Sequence, residues 1–380
     1  MTSYVPEYLK ARNRKTVFDL FLHERELSRA EIVQRTKMSF PTASKAVDFL
    51  ISRGIISEIG SEEPAGRPGR RRRNLRFNPS AYAALALNFE GSMLEVGLVD
   101  LAGQLLQYEQ NPFDCFHQTE DYVKLTPLLQ SVVEKSPCHV LGVGIGMPAD
   151  IDGQAETVVL YYDRQESMIP LQRLFGPLLQ ALHLPPFYGN DVNLACLGEA
   201  LLRGGPRETM NLCYLTLGTG FGAGIMNNGA IWLGGHGRAG EIGNTHMGPF
   251  DLKAPLPPQI EPLETRINLQ ALEKAFGVNL LDDPVLSPDL ENRMVEFLLP
   301  GLVTSIYNFS FLFDMDQFVL AGAVPAHLPG LVARTEQEVN RLLSHRKRSV
   351  SITQPGSAHC TLIGAASGVF ESTILSELQG

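Results

Sequence analysis

Residues 214–246, YLTLGTGFGAGIMNNGAIWLGGHGRAGEIGNTH, decide how the rest of this chain is read. Apolar Tyr214, Leu215 and Leu217 predict a short buried strand. Gly218, Gly220, Gly222 and Gly224 follow at alternate positions, with Thr219 after the first. Glycines so spaced leave backbone N–H groups uncovered and allow close approach, which suits phosphate oxygens. A glycine-rich turn without a ligand satisfies the same pattern. Asn227-Asn228-Gly229 predicts a hairpin turn, and Ala239-Gly240-Glu241-Ile242-Gly243 ends the stretch around a carboxylate.

That extended order resembles the ROK family (repressors, open reading frames and kinases), which shares a sugar-kinase fold. The resemblance covers essentially the whole chain. Tyr82–Asp100 predicts two apolar strands around a turn, like the family's first hairpin, and His139–Gly153 a strand ending in a tight turn. Gly189-Asn190-Asp191-Val192-Asn193, leading into Ala195-Cys196-Leu197-Gly198-Glu199, resembles the sugar-binding and catalytic-base motif. On residue type alone, Asn-Asp at a strand end is also a helix cap. The resemblance implies that Asp191 stands where kinases keep the carboxylate that takes a sugar proton, and Asn190 where they keep a sugar partner. It likewise implies sugar contacts at Glu241, at Asn244 (where relatives usually have His) and at Glu264 within Leu263-Glu264-Thr265. A carboxylate beside an amide can satisfy vicinal hydroxyls.

Three departures point away from phosphoryl transfer. Asn88 stands where kinases present an Asp to ATP-bound metal, and Glu90-Gly91 replaces a glycine pair. An amide brings no charge to hold Mg²⁺, and Glu90 repels phosphate. Alanines flank Gly322, narrowing the adenosine-side turn. The family's zinc-binding cysteines are missing from Met247–Pro262, which leaves only His246 beside it. Structural zinc needs four soft or borderline ligands. Neither zinc nor ATP is expected as a cofactor; Gly218, Thr219, Gly220 and Gly222 read as the remnant of a phosphate loop.

The N-terminal 80 residues carry different chemistry. They hold 16 Lys+Arg against 9 Asp+Glu, whereas the whole chain has a formal charge of -9. Only this head is suited to a polyanion. Apolar spacing predicts a helix over about 10–24, the capping box Ser28-Arg29-Ala30-Glu31 a second to about Thr36, and Ser39 with Pro41 a third ending at Gly54. Ala43, Val47, Leu50 and Ile51 would face inward. Ile55–Ile59 and Asn74–Phe77 would pair as the wing of a winged helix-turn-helix. Thr42, Ser44 and Lys45 are the candidates for base edges. Arg67 between Gly66 and Pro68 suits a narrow minor groove, and Arg70, Arg71, Arg72 and Arg73 suit phosphates.

Hydrophobic content of 44% with 19% charged residues predicts a soluble globular chain. Five cysteines without C-x-C or C-x-x-C spacing predict reduced, mostly buried thiols of a cytoplasmic protein. No secretory h-region is read, and Met294–Phe313, broken by Glu296, Pro300 and Asn308, predicts a core helix and no membrane span. The expected fold is therefore α/β: a winged helix-turn-helix at 1–80, then a two-lobed actin/hexokinase-like (ribonuclease H-like) ROK domain. Its first lobe comprises 81–190 plus about 362–380, and its second 191–361. The expected function is a repressor-type regulator of carbohydrate genes, binding a double-stranded operator as a homodimer or homotetramer and answering a sugar or sugar phosphate. An ATP-dependent sugar kinase and a regulator controlled by a protein partner remain the alternatives.

Overall fold

The computed structural model describes residues 4–60, 74–113, 119–152, 156–162, 165–204, 209–248, 253, 261–282 and 284–375. Contacts divide the chain into two compact units, Met1–Arg207 with Thr361–Gly380, and Glu208–Cys360.

The first unit opens with α1 (Tyr4–His23), β1 (Glu26–Ser28), α2 (Arg29–Thr36) and α3 (Phe40–Ser52). The capping box forms: Ser28 Oγ accepts from the Glu31 N–H at 3.3 Å, and Glu31 Oε2 accepts from the Ser28 N–H at 2.8 Å. On α3, Ala43, Ala46, Val47 and Leu50 are buried. Ala46 takes the inward place expected of Ile51, which is half-buried, because a 100° step per residue centres the stripe between 43 and 50. β2 (Ile56–Ile59) pairs antiparallel with β3 (Asn74–Phe77), Ile59 opposite Asn74, and β1, which the sequence reading missed, adds to the other edge of β3. This is the helix and strand order of a winged helix-turn-helix. Arg67 and Arg70–Arg73 lie outside the described residues.

The first lobe follows as β4 (Tyr82–Glu90), β5 (Met93–Asp100), β6 (Leu105–Pro112), α4 (Thr119–Val123), α5 (Thr126–Glu134), β7 (His139–Met147), β8 (Asp150–Asp152), β9 (Thr157–Tyr162), β10 (Gln165–Pro170), α6 (Leu171–Leu182), β11 (Pro186–Asn190) and α7 (Asp191–Arg203). Its main sheet runs β11-β7-β4-β5-β6, with β7 parallel to both β4 and β11. Strand β4 is buried on both faces, as its continuous apolar run requires. Leu85, Leu87 and Phe89 pack with Leu129, Phe175 and Leu178. The small Ala84 and Ala86 face a cluster that also holds Val17, Phe21 and Leu50 of the head, and Leu362, Ala365 and Val369 near the C-terminus. Head and first lobe therefore share one hydrophobic cluster.

The second unit contains β12 (Leu212–Leu217), β13 (Phe221–Asn227), β14 (Ala230–Ile231), α8 (Glu264–Ile267), α9 (Leu269–Phe276), α10 (Pro288–Leu312), β15 (Gln317–Ala321), α11 (Ala323–His327), α12 (Gly330–Leu343) and β16 (Ser351–Thr353). Its sheet runs β14-β13-β12-β15-β16. Counted from each sheet's first strand, both orders read 3-2-1-4-5, so one motif has been used twice, as the ribonuclease H-like expectation requires. The turn at Asn228 and Gly229 has φ of 49° and 76°, the pair of positive angles a two-residue hairpin needs. Helix α10 is long and apolar enough to cross a bilayer by composition alone. Met294, Leu298, Leu302 and Ile306 instead pack it into the unit's core. Helix α12 buries Leu331, Val332, Thr335, Val339 and Leu343 on one face.

Helix α13 (Cys360–Phe370) and a π-helical turn over Glu371–Leu375 complete the first unit. The lobe boundary expected after residue 190 falls after 207, because α7 packs on β7 and β11. Helices α7 and α13 approach so closely that a Cβ on Gly364 would stand 1.8 Å from the Leu194 carbonyl oxygen and 2.9 Å from the Gly198 nitrogen. Overpacking between two fixed backbones cannot be relieved by a rotamer change. Gly364→Ala is expected to destabilise the protein by about 2–3 kcal/mol, read as a lowered urea midpoint at unchanged slope.

Candidate functional site

The carboxylates of the second unit are set by turns on the edge of its sheet. Gly240 has φ 99°, and its position packs against β13, where a Cβ would meet the Ala223 oxygen at 1.8 Å. Its own carbonyl accepts from the Ala223 and Ile242 N–H groups at 2.9 and 2.6 Å. Only glycine tolerates that conformation and contact together, so the turn fixes where Glu241 begins. Glu241 is exposed, and its Oε2 accepts from Asn244 Nδ2 at 3.0 Å. The asparagine in the family's histidine position thus orients the neighbouring carboxylate. Glu264 opens α8, and its Oε2 lies against two backbone turns, 2.8 Å from a Cβ position on Gly243 and 3.4 Å from one on Gly220.

The glycine loop makes three hydrogen bonds with its own protein, one through an N–H and two through carbonyls. The Gly218 N–H donates to the Gly220 carbonyl at 3.0 Å, and the Thr219 carbonyl accepts from Asn268 Nδ2 at 3.0 Å. The Leu269 N–H donates to the Gly218 carbonyl at 2.9 Å. With the Glu264 carboxylate beside Gly220, this loop suits hydroxyl donors better than a phosphate. A cavity of about 580 Å³ lies beside α8, lined by Leu263, Ile267, Phe297 and Gly301, but none of the predicted sugar residues lines it.

In the first unit, Asn190 is the N-cap of α7. Its Oδ1 accepts from the Val192 and Asn193 N–H groups, each at 3.1 Å, and its Nδ2 donates to the Ala149 carbonyl at 3.4 Å. The capping chemistry that competed with a ligand role is therefore present. Asp191 is half-buried at the first helical position, with Oδ1 accepting from the Val192 N–H at 2.9 Å. One turn in, Asn193 is 9% exposed and its Oδ1 is buried with no protein partner. An unmatched buried acceptor costs about 1–3 kcal/mol unless water or a ligand meets it. Sequence reading placed Asn193 in the motif without giving it a role; its unmet oxygen is visible only in three dimensions. At the far end of α7, a Cβ on Gly204 would come 2.7 Å from His23 Nδ1 of α1. The π turn after α13 also holds α1, through Lys15 Nζ and Glu371 Oε1 at 3.1 Å.

On the hairpin where a kinase would meet its nucleotide, Asn88 is 3% exposed. Its Nδ2 donates to Glu95 Oε2 at 2.8 Å, and the Tyr108 hydroxyl donates to Glu95 Oε1 at 2.8 Å. Burial first, and then repulsion from Glu95, push the Glu90 carboxyl up from its ordinary range. Burial and the bond to Glu95 push Tyr108 to about 12. Asn88 brings no charge to a nucleotide-bound metal; its Nδ2 is committed to Glu95, while its Oδ1 is buried without a protein partner. Among the described residues there is no group of three or more His, Cys, Asp or Glu side chains suited to a metal.

In the head, the candidates for base edges divide. Thr42 Oγ1 and Ser39 Oγ pair at 2.8 Å, and Ser44 Oγ accepts from Arg29 Nη1 at 2.8 Å. Arg29 also bridges Asp48 and Glu58 at 2.8 and 3.2 Å. Thr42 and Ser44 are thus half-buried parts of the head's own network, while Lys45 is exposed. Phe40, absent from the sequence expectations, is 58% exposed at the start of α3. Its position just after a Ser cap was the available signal.

The ROK family pattern matches residues 84–370. The xylose repressor of Caldicellulosiruptor bescii is 30% identical over 244 residues, covering 62% of this chain and 59% of that protein. The DNA-binding transcriptional dual regulator NagC of Escherichia coli is 22% identical over 247 residues, covering 64% of this chain and 59% of NagC. The chain thus spans about three fifths of the length of each of these relatives. Among solved structures, a ROK family transcriptional regulator, homologous to the E. coli MLC protein, superposes with a TM-score of 0.74 at 20% identity, covering 97% of this chain and 98% of that one.

Proposed function

The chain belongs to the ROK family, and from that premise we propose that it is a sugar-responsive transcriptional repressor with a kinase-derived body. One observation carries the reading. Helix α7 starts at Asn190 and Asp191 and ends against His23 of α1, inside a hydrophobic cluster shared with the head. A sugar held at Asp191 would act on the head by favouring one arrangement of that packing over another; differential affinity supplies the shift. Two copies would place two heads on a two-fold operator. The kinase alternative rests on Asp191, and the Asn88–Glu95 pair opposes it.

The test uses the full chain. Duplexes selected from a random pool should bind in a salt-sensitive manner. Xylose, the sugar in the name of the Caldicellulosiruptor bescii relative, should weaken that binding by about tenfold or more, within the usual range of coupling, or else another sugar of a hexose and amino-sugar panel should. ATP consumption with any of these sugars should not exceed the blank. Failure to enrich any duplex, or turnover of ATP on a sugar at an ordinary enzymic rate, would overturn the reading.

A further inference from the structure

We propose that Phe40 reads thymine through the C5-methyl group in the major groove, making it a specificity-determining residue of α3. The inference rests on the DNA-binding reading above and adds a contact that neither hydroxyl candidate supplies. Phe40 is the first residue of α3 and lies 58% exposed, more than any other phenylalanine among the described residues. The inward stripe is complete without it, being formed by Ala43, Ala46, Val47 and Leu50. A 100° step per residue puts Phe40 between Ser44 and Val47, at the N-terminal end of that stripe, where the ring is nonetheless left exposed beside exposed Pro41.

The occupant follows from the surroundings. The 80-residue head has 16 Lys+Arg against 9 Asp+Glu, and Lys37 and Lys45 on either side of Phe40 are exposed. That setting recruits a polyanion more readily than an apolar protein surface. The first turn of the helix after the turn is the part that meets base edges in this architecture. Among the groups a base pair shows in the major groove, the apolar one is the thymine methyl. Thr42 and Ser44 are held by Ser39 and Arg29, so they compete poorly for the same base.

The experiment takes duplexes selected by the full-length protein and replaces each thymine in turn by uracil, which pairs identically and lacks only the methyl. One thymine per half-site should prove sensitive, its replacement weakening wild-type binding about fourfold, the value of one buried methyl group. Phe40→Ala should bind the thymine duplex more weakly and be indifferent to uracil at that position, with an unchanged salt slope; Phe40→Leu should retain part of the discrimination. Indifference of the wild type to every uracil replacement, or full persistence of the sensitivity in Phe40→Ala, would overturn the thymine contact while leaving DNA binding intact. A change of oligomeric mass in Phe40→Ala with unaltered base preference would assign the ring to a protein contact and overturn it too. If no duplex is enriched at all, both this contact and the reading beneath it fall.

Discussion

Replacing Arg70, Arg71, Arg72 and Arg73 together by alanine is expected to weaken operator binding by about 10³-fold at about 0.15 M salt. The estimate follows from counterion release: each phosphate contact contributes about 0.9 to the slope of log affinity against log salt, or roughly fivefold at that concentration. The slope itself should therefore fall by about 3.6. Although these arginines lie outside the described residues, the register of Ile59 opposite Asn74 makes 60–73 the connection between the two strands of the wing. Four adjacent guanidinium groups suit the phosphate backbone and carry no base code. The loss should accordingly be the same on selected and unrelated duplexes, unlike that of Phe40→Ala. Salt titrations of both variants on both duplexes check this. A fall on the selected sequence alone, or an unchanged slope, would mean that the arginines do not serve phosphates.

Much of the architecture was legible because it rests on local rules. Ser28 with Glu31, Ser39 with Pro41, and Asn228-Gly229 each specify one conformation within a few residues, and each is realised. The double use of one strand order was legible only through the family resemblance, since pairing of β12 with β15 joins residues about a hundred positions apart. Misreadings arose where tertiary packing chooses among equal local options. Ile51 and Ala46 are both acceptable inward residues by type, and it is the centring of the buried stripe between 43 and 50 that selects Ala46. Motif order alone does not say which sheet α7 covers; its packing on β7 and β11 puts it with the first unit. The site was legible in identity but not in state. Nothing in the spelling of Asn88 reveals that Glu95, directly across the strand pair, holds its amide, or that Ser44 accepts from Arg29.

Asp191→Asn combined with Glu241→Gln is expected to raise the sugar concentration needed for operator release by about 10²–10⁴-fold, while operator affinity without sugar stays within about twofold. Each exchange removes a charge-assisted hydrogen bond to a hydroxyl, worth about 1.5–3 kcal/mol, or roughly 10–100-fold. Both retain the local geometry. An Asn at 191 can still accept from the Val192 N–H, as Asp191 Oδ1 does at 2.9 Å, and a Gln at 241 can still accept from Asn244 Nδ2. Asn190→Ala provides the structural contrast. It removes the cap that accepts from Val192 and Asn193, and should cost about 1 kcal/mol of stability, which the double variant should not. Effector titrations of operator complexes, paired with thermal unfolding of each variant, separate the two behaviours. Should the double variant respond to sugar as the wild type does, the acidic residues inherited from a kinase do not hold the ligand. Should it instead lose operator binding in the absence of sugar, their role is in the packing that joins α7 to the head, and the effector binds elsewhere.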